Sequence, residues 1–430
     1  MLPFLPVPMD VAQQAYVQVR AEERVRTGND VTAEETELNP QLRYDFIWNG
    51  GTNHFVAAYQ PRLVYTHTFS HPTIDTIDPR IVNPATLNTS DPNKTPLSAL
   101  QQAGVGVEMV RPRYRVSLYQ FGAYGPVTTT SFLVQVPWGG EGPPPDPTPI
   151  VPSTIAARFT LLFLQTQLFA PIRLSRRVAL TPGFVYNAFG GADSTSRGVI
   201  ALTSGPGASL ALEVAATRDD RFTTTIGAGR ITTDFEGDRT GAIILRSEAT
   251  QSWRHWYSRS VSTEVLGGAS VGGDDISGFA LFSQASAGLF YDSYPFIRLA
   301  PGAAPQGGAP GRGNHLQVGL IAKAAPWIDL FSGGLEQRAV GVAAVNYTID
   351  RVTLRGQVST ARVFNTPRSV AKYQIIQTDA GVRYAISPTL AVEGGLRYGS
   401  QDFSNAIRAS SVAQTTVYAG LTWAPLPARF

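Results

Sequence analysis

The chain contains no cysteine, which removes disulfide frameworks and thiolate metal sites without fixing a compartment. Charge is scarce as well: 16% of residues are charged, against about 25% in a soluble domain. Long apolar runs are missing. The best candidate, IAARFTLLFLQTQLFAPIRL over 155–174, is interrupted by Arg158, Gln165, Gln167 and Pro171, whereas a membrane-spanning helix needs about 20 apolar residues. A formal net charge of +3 with no basic block gives no reason to expect a nucleic-acid partner. The start, MLPFLPVPMD, is too short and lacks the basic region of an export signal; such a signal is expected but not seen.

Catalytic patterns are also wanting. The five histidines, His54, His67, His71, His255 and His315, form neither an HExxH spacing nor a triad order. GVGVEM (104–109) and GAGRIT (227–232) read as strand glycines rather than phosphate loops. GGDDISG (272–278) and the loop carrying Asp75, Asp78 and Asp91 read as solvated acids before they read as calcium ligands. No cofactor, metal or enzymatic activity is expected.

What the chain does have is a period of two. In SPTLAVEGGLRYGS (387–400), Leu390, Val392, Leu396 and Tyr398 fall on one side, with Glu393 and Arg397 on the other. Similar alternation predicts strands near 14–24, 40–48, 54–66, 99–110, 114–122, 157–170, 177–189, 198–216 and 221–234. It continues at 240–252, 259–271, 277–291, 313–323, 334–347, 352–364, 372–386, 389–400 and 412–424. Most exceed the usual strand of about 5 or 6 residues and reach the roughly 9 to 11 that a tilted bilayer crossing needs.

The connections sort by parity. Short turns, among them NGGTN (49–53), RPR (111–113), TRDD (217–220) and IDR (349–351), follow even strands. Longer segments, above all 67–98 and 123–156, follow odd ones. Membrane barrels do this, with short turns at one rim and long loops at the other. The Pro/Gly-rich connection 292–312 sits where a short turn belongs, as an excursion or as a sign of a miscounted hairpin. Trp48, Trp253 and Trp256 lie at turns and Trp423 ends the last strand, so all four are expected at the membrane interface.

If the apolar face meets lipid, the charged face lines the lumen. The lining candidates are Arg43, Asp45, Arg62, Arg115, Glu213, Arg246, Glu248, Glu264, Lys323, Arg338, Arg355, Asp379, Arg383, Glu393 and Arg397, with Arg221 and Glu336 beside them. Such charges would be ruinously desolvated in a soluble core. Two readings stand: Arg–carboxylate pairs that stiffen the wall, or a basic ladder that guides anions and leans selectivity toward them.

This pattern, over about 40–424, resembles Gram-negative outer-membrane β-barrels of porin-like size. The terminal TTVYAGLTWAPLPARF, with Tyr418, Gly420, Trp423 and Phe430, is similar to their aromatic-ended last strand, although Pro425 and Pro427 intervene. The layout after YQPRLVY (59–65) is similar to barrels encoded with exopolysaccharide exporters of myxobacterial type. The expectation is an all-β transmembrane barrel, one domain over 1–430, antiparallel, with roughly 16 to 18 strands. Its expected place is the bacterial outer membrane; its partners are the lipid bilayer, the assembly machinery and a periplasmic export protein. The expected function is passage of hydrophilic solutes. The alternatives are a part of a polysaccharide exporter and a plugged structural barrel.

Overall fold

A computed structural model describes residues 13–28, 31–49, 53–59, 61–68, 97–128, 158–198, 200–236, 241–274, 278–293, 314–328, 334–365, 372–404, 409–423 and 428–429. The first nine wall strands are β1 (Gln13–Gly28), β2 (Val31–Asn49), β3 (Asn53–Tyr59 and Arg62–Thr68), β4 (Leu97–Val110), β5 (Arg115–Thr128), β6 (Arg158–Phe169 and Ile172–Arg173), β7 (Val178–Gly191), β8 (Leu202–Ala215) and β9 (Asp220–Asp234). The remainder are β10 (Ala242–Trp256), β11 (Val261–Asp274), β12 (Gly278–Asp292), β13 (His315–Ile328), β14 (Leu335–Ile349), β15 (Val352–Asn365), β16 (Lys372–Ser387), β17 (Leu390–Ser404) and β18 (Ala409–Trp423 and Ala428–Arg429). Each strand pairs antiparallel with its sequence neighbours in one sheet.

The sheet closes on itself. β1 pairs with β18 from Val19↔Trp423 to Thr27↔Thr415, and again at Ala15↔Ala428. Closure pairs the first strand with the last from Val19 to Thr27, as a backbone in hydrocarbon demands. Two strands break beside proline: Pro61 in β3 and Pro171 in β6. Proline brings no N–H to a ladder. Beyond Pro425 and Pro427 in the sequence, Ala428 and Arg429 pair with β1. Phe430 lies outside the described residues.

All eighteen strands expected from alternation are present, and the parity of the connections follows. Turns at 111–114, 174–177, 257–260, 350–351 and 388–389 share a rim with the start of β1 and the end of β18. The connection between β12 and β13 belongs to that same rim, so no hairpin was miscounted; residues 294–313 lie outside the described set. At the opposite rim one helical turn, Ser194–Arg197, joins β7 to β8. Asp193 caps it by accepting from the Ser196 amide at 2.7 Å. Burial alone would raise the Asp193 pKa, but hydrogen bonds from Thr160 and Ser196 and the Arg197 charge hold it below the usual carboxylate value.

Alternation decides facing. Along β17, Val392, Leu396 and Tyr398 are exposed outward, while Ala391 is buried on the other face with Glu393 and Arg397. The same exterior runs round the wall through Leu118, Leu212, Ile226, Leu245, Leu289, Leu320 and Val358. In water, each such side chain would forfeit about 1.5–3 kcal/mol of burial. A closed barrel with this skin is an outer-membrane-type transmembrane β-barrel.

Candidate functional site: the inner wall

The interior face carries the charge, and it is organised into clusters. The largest straddles the β1–β18 closure. Arg20 on β1 reaches Glu22 and Glu393, each at 2.5 Å. Arg397 on β17 lies 2.8 Å from Asp379 on β16 and 3.8 Å from Glu22. Arg355 on β15 stands 3.5 Å from the same Asp379. Three guanidinium groups and three carboxylates from four strands therefore alternate across the closure. The Glu22 side chain is 1% exposed, so its charge is tolerable only because two arginines flank it.

Tyr418 of β18 organises this cluster. It accepts a hydrogen bond from Arg355 Nη2 at 2.6 Å, three strands away, and Arg397 lies 4.2 Å from its ring centroid. The ring reaches that far because it crosses two glycines. A Cβ at Gly395 would sit 2.5 Å from the Tyr418 hydroxyl, and one at Gly381 would sit 2.6 Å from it. The lattice of charge and ring is thus set by small residues beneath it.

A second cluster lies near the turn-bearing rim on β8–β12. Arg221 donates to Glu213 at 3.0 Å, and Arg254 lies 3.8 Å from Glu264. Both guanidinium groups cover the Trp256 ring, at 5.2 and 5.3 Å from its centroid. Trp256, expected at the membrane interface, instead turns inward and is 8% exposed. It shares the parity of the buried Ile244 on β10, whereas Ile243 and Leu245 face out. Trp253 takes the outward side, its indole N–H donating to Asp220 at 3.0 Å. Trp423 is also exposed on the outer face.

Smaller groups complete the wall. Arg246 pairs with Glu248, which also accepts from Gln284 at 2.9 Å. Arg115 pairs with Glu108, and Ser117 donates to the same carboxylate at 3.0 Å. Arg338 packs over Trp327 at 4.9 Å, and with Glu336 it is buried on the inner face of β14. Lys323 and Arg383 fall on inward positions by strand parity. The side chains of Arg43, Asp45, Arg62 and Trp48 lie outside the described residues.

Not all of the interior is polar. Towards the loop-bearing rim, Val340, Val342, Ala361, Val363 and Ile375 of β14–β16 form a buried cluster on the inner face. Phe121, Phe163 and Phe189 form an inward aromatic row on β5–β7, with centroids 5.6 and 6.2 Å apart. Among the described residues no group of three or more His, Asp or Glu is placed to hold a metal. His255 and His315 each meet one aspartate, Asp220 at 2.8 Å and Asp292 at 2.7 Å.

Sequence reasoning missed Arg20, Glu22, Glu108, Arg254 and the inward direction of Tyr418. Parity was the available signal for Tyr418: Thr416 and Thr422 share its face, opposite Val417, Leu421 and Trp423.

No family model matches the chain, and no curated protein matches it. Solved structures do. OpdQ of Pseudomonas aeruginosa matches at 10% identity and TM-score 0.44, over 96% of this chain and 99% of that one. The outer membrane protein OpdK of the same organism matches at 12% and 0.43, over 96% and 99%. OccAB2 of Acinetobacter baumannii matches at 11% and 0.46, over 97% and 100%. The layout likeness to polysaccharide-export barrels gains no support from these matches.

Proposed function

We propose that the protein is an outer-membrane channel through which small hydrophilic solutes pass without energy coupling. The observation that carries this reading is an ion-paired inner face inside a closed wall of eighteen strands. Barrels of about 16–18 strands leave room for an aqueous path. The aromatic row on β5–β7 and the buried cluster on β14–β16 narrow that path on the loop side, so the channel discriminates by size and shape.

Its charge selection is weak. Arg20, Arg115, Arg221, Arg246, Arg254, Arg355 and Arg397 each stand beside a carboxylate. This supports the wall-stiffening reading over a free basic ladder, because paired charges project little field into the lumen. The test is a planar-bilayer recording of the purified protein with a size series of neutral sugars and a salt gradient. Discrete conductance that falls as sugars enter, with a reversal potential near zero, is the expected result. Absence of conductance would overturn the reading in favour of a plugged structural barrel.

A further inference from the structure

The wall is not zipped along its whole height. β12 is bonded to β11 from Val261↔Tyr291 to Asp274↔Gly278. On its other side β12 meets β13 only from Ala285↔Ala324 to Asp292↔Gln317. Gly278–Gln284 thus have no ladder partner on that side among the described residues. β13 meanwhile continues through Ala325–Ile328, paired only to β14. Towards the loop-bearing rim the hairpin β13–β14 thus parts from β12, while β14 stays paired with β15 as far as Gln337↔Asn365, and Pro326, which offers no N–H, sits in the parting stretch.

The departing end turns inward. Leu335 and Ile328 pack against Ile244, Phe282, Ile231 and Ala280 on the inner faces of β9, β10 and β12. Leu335 also covers Gly272 of β11, where a Cβ would sit 2.6 Å from its Cδ2. On the outer side, Leu281 and Phe279 are 72% and 65% exposed, the most of any large apolar side chains among the described residues. One backbone carbonyl of the bare edge, that of Ser283, is met by the Gln337 side-chain amide at 3.0 Å.

An unpaired edge is costly in hydrocarbon, and natural barrels abolish it. Here the edge is kept, with apolar side chains on both sides of the gap and an apolar hairpin end lying over its inner mouth. We propose that the split between β12 and β13 is a lateral exit, through which molecules bearing an acyl chain move between the lumen and the adjoining leaflet. Leu335 and Ile328 are its latch, and Gln337 holds the latch to the edge. A hydrophilic solute gains little from such a route, since Phe279, Leu281 and Phe282 dominate the edge and its polar side chains are confined to Ser283 and Gln284, beside Gln337. The acyl chain is favoured because it leaves an aqueous path for hydrocarbon and sheds its hydration on the way.

This rests on the channel reading only for supply of the solute to the lumen. The cysteine-free chain makes a clean staple available: Gly272→Cys with Leu335→Cys, two positions that face each other. The variant is reconstituted in phospholipid vesicles. Protein-dependent transfer of a dansyl-labelled acyl sulfonate into the bilayer is measured beside passage of a neutral sugar, oxidised and reduced. Heat-modifiable gel migration checks that the barrel has formed. The expected result is acyl transfer that drops to the protein-free rate on oxidation and returns on reduction, with sugar passage the same in both states. Equal acyl transfer in both states would overturn the proposal. So would disulfide-linked dimers of a Leu281→Cys variant in the bilayer, which would make the edge a pairing surface for a second copy. Loss of sugar passage in both states counts against the channel alone, and the acyl readout still decides the exit.

Discussion

The two sides of this barrel are joined by different means. At the β1–β18 closure the ladder runs from Val19↔Trp423 to Thr27↔Thr415, and charges from four strands reinforce it. At β12–β13 the ladder stops partway, and apolar side chains with one amide-to-carbonyl bond take over. Ion pairs and hydrogen bonds are directional and hold strands in one register. Apolar contacts are individually weak and tolerate sliding. The first junction is built to stay shut, the second to move.

Substitutions separate the two. Glu22→Ala should have the largest effect, costing about 3–5 kcal/mol because Arg20 and Arg397 lose a shared, buried partner. Urea unfolding in vesicles, followed by tryptophan fluorescence, checks it; a cost no larger than that of a surface change would mean the closure does not depend on the cluster. Leu396→Arg beside the closure puts a charge on the outer face and should cost about 2–4 kcal/mol in bilayers. Wild-type stability in lipid would contradict the facing assigned here. Gly395→Ala should cost about 1–3 kcal/mol, because the added methyl would press on the Ala380 carbonyl oxygen and displace the Tyr418 ring. Its signature beyond stability is noisier single-channel current, as Arg355 and Arg397 lose their shared ring. On the opposite side, Gln337→Ala should cost only about 1 kcal/mol while raising acyl transfer and leaving sugar passage unchanged. If Gln337→Ala matched Glu22→Ala in cost, the contrast between the junctions would fail.

Much of the fold was legible because lipid outside and polar groups inside force each strand to alternate, and that alternation is a purely local signal. β17 is the clearest case, with Val392, Leu396 and Tyr398 facing away from Glu393 and Arg397. The inner wall was legible only as a set of inward positions. Which arginine meets which acid depends on register between strands far apart in the chain, as for Arg20 with Glu393. Trp256 was misplaced because aromatics near a turn suit both the interface and a cation–π stack; one residue of parity separates the two. The split at β12–β13 left no mark in periodicity, since β13 keeps alternating after it parts from β12. Pro326 was its only trace.

The pairing of β1 with β18 also has a consequence in time. The barrel's earliest strand is completed by its latest, so no stable intermediate can be water-tight before the whole chain has entered the bilayer. Contacts between ends so distant form late and slowly, and until then Arg20 and Glu22 must wait without Glu393 and Arg397. Insertion therefore ends in a single step, in which backbone pairing and charge neutralisation at the closure arrive together.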